Sequence, residues 1–389
     1  MCEMKDSVRL KYLCSAFSTT LSLKEIDKEI GKYPVYGAAG LMGFIDYYNS
    51  DCEYLGIIKD GAGVGRIEKY PGKSSLLGTM TAIIPNAGIE INWLKYAINS
   101  LDLGHPIDKT TIPHIYFSVY GNSEIRDICQ EEQRRIADYL DTACSKVDAL
   151  IANQQAQIEK LKAYKQSLIT EVVTHGLEPD APMKDSGVEW IGRIPAHWKV
   201  KRGKALFIET DARSVDGTEE LLTVSQYTGI TPRSQKNVNM FESLTLEGYK
   251  ICEIGDIAAN TMWLWAGAIG VSEYRGVISP SYNVYRQISE NYIPSYLDNL
   301  LRAPMLVQEY ASRSTGIRAS RLRLYPKDFM NIMFPVPPIE EQKDIMRVLK
   351  EKFAKVDKLI DIKQAKIEKL EQYKKSLIYE YVTGKKEVT

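Results

Sequence analysis

The densest group of residues able to contact an anion lies late in the chain, in SRSTGIRASRLRLYPK at positions 312–327. The segment carries five basic side chains and no acidic residue. Arginine binds phosphate and can hold guanine by two hydrogen bonds in the DNA major groove. The pattern indicates nucleic-acid contact, with pairing to acidic residues elsewhere as the alternative. The basic residues are Arg313, Arg318, Arg321, Arg323 and Lys327.

A second candidate is the glycine-rich stretch GAGVGR at positions 61–66. It departs from the GxGxxG dinucleotide fingerprint and is not followed by the helix and acidic residue that such a site needs. It favours a hairpin whose glycines adopt positive φ, and such a loop could approach a phosphate or a base edge. The alternative is a solvated basic face. The flanking basic residues are Lys59, Arg66, Lys69 and Lys73.

Enzyme signatures are absent from the sequence. There is no GxxxxGK[ST], no HExxH and no [DN]PP[YF] tetrapeptide, since VPPI at 336–339 lacks the polar and aromatic residues of the last. The six cysteines form no CxxC pair and are expected to be free thiols. The four histidines lie apart from plausible nucleophiles. We therefore expect a binding protein with no catalytic residue, metal site or cofactor of its own.

The segments that must position these residues occur twice in the sequence. Residues 131–174 align without a gap on residues 340–383, with 24 identities in 44 positions. The period of 209 residues is too long for a solenoid repeat and indicates a duplicated half-molecule, each half a globular segment followed by a helix. The segments are rich in short apolar runs and turns, so the predicted class is α+β with mixed α/β domains.

Both repeated segments carry apolar residues at alternating steps of four and three, the seam of a coiled coil. A short link rich in proline, GLEPDAPMKD, follows the first helix, so the shortest route returns the second helix antiparallel to it. Polar seam residues, including Lys165 and Lys374, could face a third helical element instead. The seam positions are Leu140, Val147, Ile151, Ile158, Leu161, Leu168, Leu349, Val356, Ile360, Ile367, Leu370 and Leu377.

This arrangement predicts a pseudo-twofold molecule with globular domains at opposite ends of a helical rod of at most roughly 65 Å. The alternative is a plain stabilising hairpin of helices. The predicted boundaries are 1–128 for domain 1, 129–176 for the central helix, 177–338 for domain 2 and 339–389 for the C-terminal helix.

The chain of 389 residues has 50 basic and 50 acidic residues. The net charge is therefore zero and gives no indication of a nucleic-acid partner, so any positively charged surface must be local. The sequence contains neither a signal peptide nor an apolar run long enough to span a membrane, so we expect a cytoplasmic protein without membrane contact.

Several of these segments resemble the specificity subunits of Type I restriction-modification systems. The resemblance is carried by FPVPPIEEQ at 334–342, the paired IEKL and YK-SLI helices, and MKDSGVEWIGRIPAHWKVKR at 183–202. The blocks YPVYGAAGLMG, KDGAGVGRI, NTMWLWAGAIGV, SPSYNVYR and TGIRASRLRL are also similar to that family's target recognition domains. The first helix departs from the family pattern, because RDICQEEQ lacks the proline run.

The resemblance implies that each globular domain reads one half of a bipartite, asymmetric sequence in double-stranded DNA. The helices would set the spacer and dock two methyltransferase subunits, with translocase-endonuclease subunits joining for restriction. S-adenosylmethionine, ATP and Mg would belong to those partners. The implied DNA-binding residues are Lys59, Arg66, Lys73, Lys109, Thr111 and His114 in domain 1, and Asn260, Trp263, Arg313, Arg318, Arg321 and Arg323 in domain 2.

Two other functions fit the same sequence. A structural adaptor would bind peptides through its globular ends and would hold DNA only by a weak background that fades as salt rises. A nuclease with an unrecognised site would cleave DNA in a metal-dependent reaction, although no acidic cluster of suitable spacing is evident.

Overall fold

The computed structural model describes residues 7–61, 63–101, 103, 114–236, 245–316 and 322–388. The chain divides into two compact units, which we call unit 1 (Met1–Ala156 with Lys363–Thr389) and unit 2 (Gln157–Ile362). Two long helices contribute to both units. The predicted α+β class, in which two mixed domains are joined by long helices, is confirmed.

Unit 1 is built on a four-stranded antiparallel sheet in the order β2-β8-β5-β6, beside a smaller sheet in the order β4-β3-β7 and the pair β1-β9. Its strands are β1 Ser7–Arg9, β2 Cys14–Ser18, β3 Tyr33–Gly37, β4 Gly40–Ile45, β5 Tyr54–Ile58, β6 Ile67–Tyr70, β7 Ser75–Leu76, β8 Met80–Pro85 and β9 Glu124–Arg126. Its helices are α1 Ile91–Asn99, α2 Phe117–Tyr120 and the start of α3 Gln130–His175.

Helix α1 covers one face of this sheet. Its apolar residues recur at helical spacing, so Trp93, Leu94 and Ile98 are fully buried against Leu55 and Ile57 of β5. The Glu90 carboxylate caps the helix by accepting a 2.6 Å hydrogen bond from the Trp93 backbone N–H. This core fixes the sheet from which the neighbouring loops project.

Unit 2 contains a four-stranded antiparallel sheet in the order β13-β20-β17-β18, with the pairs β10-β11, β12-β21, β14-β15 and β16-β19. Its strands are β10 Met183–Asp185, β11 Arg193–Pro195, β12 Lys199–Arg202, β13 Phe207–Thr210, β14 Leu222–Ser225, β15 Gly229–Pro232, β16 Lys250–Cys252, β17 Ile257–Ala259, β18 Ile269–Val271, β19 Gly276–Ile278, β20 Asn283–Gln287 and β21 Met333–Val336. Its helices are α4 Pro294–Leu301, α5 Pro304–Arg313, α6 Pro326–Met330 and the start of α7 Ile339–Val382.

The two main sheets have the same topology. In each, the first strand in sequence pairs with the last, the last pairs with the second, and the second pairs with the third. The β5-β6 connection of unit 1 therefore corresponds to the β17-β18 connection of unit 2. The duplication extends beyond the helices to a framework that the strand sequences do not reveal.

Within each unit the two long helices run antiparallel. In unit 1 the rings of Tyr139 and Tyr381 lie 4.4 Å apart, and Asp148 accepts a 2.7 Å bond from Lys374. In unit 2, Lys165 donates to Asp357 at 2.8 Å. The repeat maps one of these ion pairs onto the other, so Lys165 and Lys374 are used between the two helices rather than by a third element.

The predicted seam residues are buried or half-buried. A second duplicated contact lies at the start of each helix, where a glutamine is almost completely buried. Gln133 accepts from the Glu90 N–H at 2.8 Å and donates to the Ile128 carbonyl at 2.9 Å. Its counterpart Gln342 accepts from the Ile293 N–H and donates to the carbonyls of two other residues, Asn291 and Pro337. Each glutamine ties a long helix to the globular part of its own unit.

In the part of the chain that the structure describes, no helix is long and apolar enough to cross a membrane. Five of the six cysteines lie in these residues and all five are free. The same residues contain no group of histidine, cysteine and carboxylate side chains that could hold a metal ion.

Candidate nucleic-acid interface

The β5-β6 connection of unit 1, residues 59–66, is a tight hairpin that we call the unit 1 loop. Gly61, Gly63 and Gly65 have φ of +83°, +92° and +85°, values that residues other than glycine rarely adopt. The Gly65 N–H donates to the Ile58 carbonyl at 2.9 Å and closes the turn. The glycines thus bend the chain so that basic residues flank both ends of the hairpin.

Two of the sequence-predicted residues lie at these ends. Lys59 is half-exposed, and the exposed Arg66 guanidinium donates one hydrogen bond to the Ala38 carbonyl. That bond fixes the arginine while leaving its remaining N–H groups able to reach another acceptor. Lys73 is also exposed, but it lies after β6, where its N–H bonds the Ser50 carbonyl, and it is not part of the unit 1 loop.

His114 follows helix α1 in the chain and lies beside the unit 1 loop. Its Nδ1 lies 2.6 Å from an Asp60 carboxylate oxygen, and the Ile115 N–H donates to the Lys59 carbonyl. The exposed Tyr116 ring stacks on the imidazole at 6.4 Å. Lys59, Arg66 and His114 therefore share one edge of unit 1. Lys109 and Thr111 lie outside the described residues.

The β17-β18 connection of unit 2, residues 260–268, occupies the equivalent place and is called the unit 2 loop. Asn260, one of the implied DNA-binding residues, is 6% exposed. Its Nδ2 donates to the Tyr282 hydroxyl at 2.9 Å and its Oδ1 accepts from the Met262 N–H at 3.2 Å. Burial raises the pKa of Tyr282, so its hydroxyl remains protonated. The Asn260 amide therefore supports the loop from within.

The side chains that the unit 2 loop presents outward are apolar. Met262 is 39% exposed and Trp263 is 49% exposed. The Trp263 ring stacks on Trp265 with centroids 5.7 Å apart, and the Trp265 indole N–H donates to the Met262 carbonyl at 3.0 Å. Trp263 is thus a surface residue on a supported platform, while the core position of the loop is taken by Leu264, which is fully buried.

The arginine segment begins at the end of α5. Helix α5 packs on the turn Leu264–Ala266 of the unit 2 loop, and a Cβ on Gly267 would lie 3.1 Å from the Val307 side chain. Thr315 and Arg323 then pair through two backbone hydrogen bonds of 3.0 and 2.9 Å. The exposed Arg323 is held by this pairing, whereas Arg318 and Arg321 lie outside the described residues.

Arg313 differs from Arg323. Its guanidinium donates to Glu309 one helical turn earlier, and that carboxylate is 16% exposed. The alternative considered from the sequence, pairing with an acidic residue, therefore describes Arg313. The spacing Glu309 to Arg313 is the favourable i,i+4 order for a helical ion pair.

Two residues that the sequence did not single out border the same region. Tyr227 stands at the tip of the β14-β15 hairpin and is 81% exposed. Arg302 donates to the Tyr227 carbonyl at 2.7 Å, which anchors the tip. Gln226, Arg302 and Gly267 line a cavity of about 360 Å³, so the hairpin and the unit 2 loop flank a common depression. The hairpin turn was readable in SQYTG, but its tertiary neighbour was not.

Comparison with known proteins gives a consistent result. No family model matches the chain. The Type I restriction enzyme MjaVIII specificity subunit of Methanocaldococcus jannaschii is 25% identical over 354 residues, which cover 85% of this chain and 78% of that protein. The putative type I restriction enzyme MjaX specificity subunit of the same organism is 26% identical over 270 residues, covering 66% of this chain and 57% of that protein.

A solved structure is similar over nearly the full length of both chains. It is described as the structural basis underlying complex assembly and conformational transition of the type I R-M system. The TM-score is 0.62 at 14% sequence identity, and the match covers 97% of each chain. At this identity the likeness concerns the fold. The sequence relatives and this fold together confirm the resemblance that the motifs indicated.

Proposed function

We propose that this chain is the specificity subunit of a Type I restriction-modification system, a DNA-recognition protein without catalytic activity of its own. The observation that carries the proposal is the pairing of a duplicated framework with unlike loops. The unit 1 loop presents Lys59 and Arg66, and the unit 2 loop presents Met262 and Trp263. Equivalent frameworks with different surfaces suit a reader of two different half-sites.

Each unit would contact double-stranded DNA through its loop and through the chain that precedes the long helix beginning in that unit, α3 in unit 1 and α7 in unit 2. In unit 1 that chain supplies His114, and at the same place in the repeat unit 2 supplies Arg323. Arginine is suited to guanine and to phosphate, whereas the Lys59 ammonium is suited to phosphate. Unit 2 would therefore read at least one base through Arg323, and Lys59 would add affinity without sequence preference.

The long helices would keep the two half-sites at a fixed spacing and would dock two methyltransferase subunits. Exposed apolar residues on the helices support this role. Leu150 and Tyr373 of unit 1 are 46% and 56% exposed, and the repeat maps them onto Leu359 and Tyr164 of unit 2, which are 46% and 49% exposed. Each residue immediately precedes a seam position, so all four lie on the same flank of their helices.

Each unit thus carries one leucine from one helix and one tyrosine from the other. Because Asp148 pairs with Lys374, residues 150 and 373 lie at nearly the same height along the two helices. In an antiparallel helix pair, equivalent flanking positions of the two helices lie on the same side of the seam. We call the pairs Leu150 with Tyr373 and Tyr164 with Leu359 the helix patches. Two equal patches suit two copies of one partner. S-adenosylmethionine, ATP and Mg would act in the methyltransferase and translocase-endonuclease subunits.

The test is selection of bound duplexes from a random pool by this chain with its methyltransferase partner at near-physiological salt. We expect enrichment of two short, unlike motifs at one fixed spacing. Arg323→Ala should then relax one position of one motif and leave the other motif unchanged. Binding that enriches no motif and fades as salt rises would contradict the proposal and favour the adaptor. Metal-dependent cleavage by the chain alone would favour the nuclease.

A further inference from the structure

Beyond this role, which it presupposes, we infer that Met262 and Trp263 read the 5-methyl group of a thymine in the half-site bound by unit 2. The unit 2 loop cannot contact phosphate by charge. From Asn260 to Val271 the sequence NTMWLWAGAIGV contains no basic and no acidic residue. Whatever this loop contributes to DNA binding must therefore come from hydrogen bonds or from apolar contact.

The polar side chains of the loop already form hydrogen bonds with other groups of unit 2. The Asn260 amide bonds Tyr282 and the Met262 N–H, and the Thr261 hydroxyl donates to the Ser281 carbonyl at 2.7 Å. The Trp265 indole N–H is also used internally. The most exposed side chains of the loop are the Met262 thioether chain and the Trp263 ring. The loop therefore offers an apolar surface to its ligand.

The apolar surface is fixed before any ligand arrives. The Asn260 and Ala268 backbones are joined across the base of the loop by a 2.9 Å bond, and the Trp263 carbonyl accepts from both Ala266 and Ala268. Gly267 has φ of +86° and closes against Val307. A surface that is already ordered loses little conformational entropy on binding, so even one methyl contact can contribute to affinity.

Among the groups that DNA presents in the major groove, the thymine C5-methyl is the apolar one. The alternative is insertion of Trp263 between two base pairs as a wedge. A wedge needs both ring faces free, but one face of Trp263 is stacked on Trp265 at an interplanar angle of 25°. The geometry therefore favours contact with the outside of the base stack.

The experiment uses the full chain with its methyltransferase partner and the duplex found by selection. Each thymine of the unit 2 half-site is replaced in turn by deoxyuridine, which removes the methyl group and preserves every hydrogen bond. We expect one replacement to weaken binding about fourfold, the effect of withdrawing one methyl from apolar contact. The same replacement should have no effect on the Trp263→Ala variant, and Trp263→Phe should restore part of the sensitivity.

Deoxyuridine in the unit 1 half-site serves as the control and should be insensitive to Trp263→Ala. The inference is overturned if no thymine in the unit 2 half-site is sensitive, or if that half-site contains none, while both motifs remain specific. It is also overturned if 2-aminopurine placed in the site brightens on binding through Trp263, because that reports unstacking by a wedge. Loss of both motifs would instead contradict the proposed function itself.

Discussion

The unit 1 loop and the unit 2 loop occupy equivalent places in equivalent sheets, yet the residues that they present differ in charge and polarity. The first turns on three glycines and is bordered by Lys59 and Arg66. The second is uncharged and presents Trp263 on Trp265. By contrast, the buried glutamine at the start of each long helix and the lysine–aspartate pair between the helices are repeated in both units. Selection for a common frame and for separate surfaces would produce this division.

The largest effect should come from breaking the frame at a repeated buried contact. Gln342→Ala removes the partner of the Ile293 N–H and of two carbonyls in a position with no exposure. Leaving these groups unpaired should lower the free energy of unfolding of unit 2 by about 3 kcal/mol. Gln133→Ala breaks fewer bonds in unit 1 and should cost about 2 kcal/mol. Hydrogen exchange of the Ile293 and Glu90 amides measures the two effects.

The exposed helix residue Gln155 provides the control, and Gln155→Ala should leave both amides unchanged. Equal protection in wild type and Gln342→Ala would mean that the repeated glutamines do not stabilise the frame.

Substitutions in the helix patches test whether the two halves of the chain bind a methyltransferase subunit equally well. Replacing one patch leucine with aspartate, in Leu150→Asp or Leu359→Asp, should weaken methyltransferase binding at one site by about 2 kcal/mol, roughly thirtyfold. The double variant should lose both copies, which sedimentation of the mixed subunits would detect. Gln155→Asp with Gln364→Asp is the matched control, because both residues are exposed and equivalent in the repeat. Unchanged assembly of the double variant would exclude these patches.

The difference between the two units should appear in how substitutions weaken DNA binding. Arg323→Ala should cost about 1–3 kcal/mol at one base pair and little elsewhere, because a guanine contact is specific. Lys59→Ala should weaken all duplexes by a similar, smaller factor and reduce the slope of log affinity against log salt by about one. Competition binding at several salt concentrations separates the two. A uniform loss from Arg323→Ala would assign that residue to phosphate.

Sequence reasoning reached the frame through the helices, because 24 identities over 44 positions leave the repeat and its seam visible. The repeat of the sheet could not be recognised from the sequence, because strands tolerate many apolar substitutions and strand pairing joins residues far apart in sequence. The role of Asn260 was also hidden, because its partner Tyr282 lies 22 residues away. The ion pair of Arg313 could have been read from Glu309 at the preceding turn. The turn that holds Tyr227 was readable in SQYTG, but its position beside the unit 2 loop was not.

The smallest effect should distinguish two otherwise equivalent lysines. Lys374 pairs with the exposed Asp148, whereas Lys165 pairs with Asp357 and also lies 4.6 Å from the Phe353 ring centroid. The repeat places Cys144 where unit 2 has Phe353, so unit 1 lacks this cation–π contact. Lys374→Ala should therefore cost about 0.5 kcal/mol, and Lys165→Ala about 1 kcal/mol, in free energy of unfolding.

A double-mutant cycle between Lys165→Ala and Phe353→Leu isolates the additional term. We expect a coupling energy of about 0.5 kcal/mol that persists in high salt, while the ion-pair part of both lysine effects declines as salt rises. A coupling of zero would mean that the two lysines are equivalent and that the helices, unlike the loops, have not diverged in the interactions that join them.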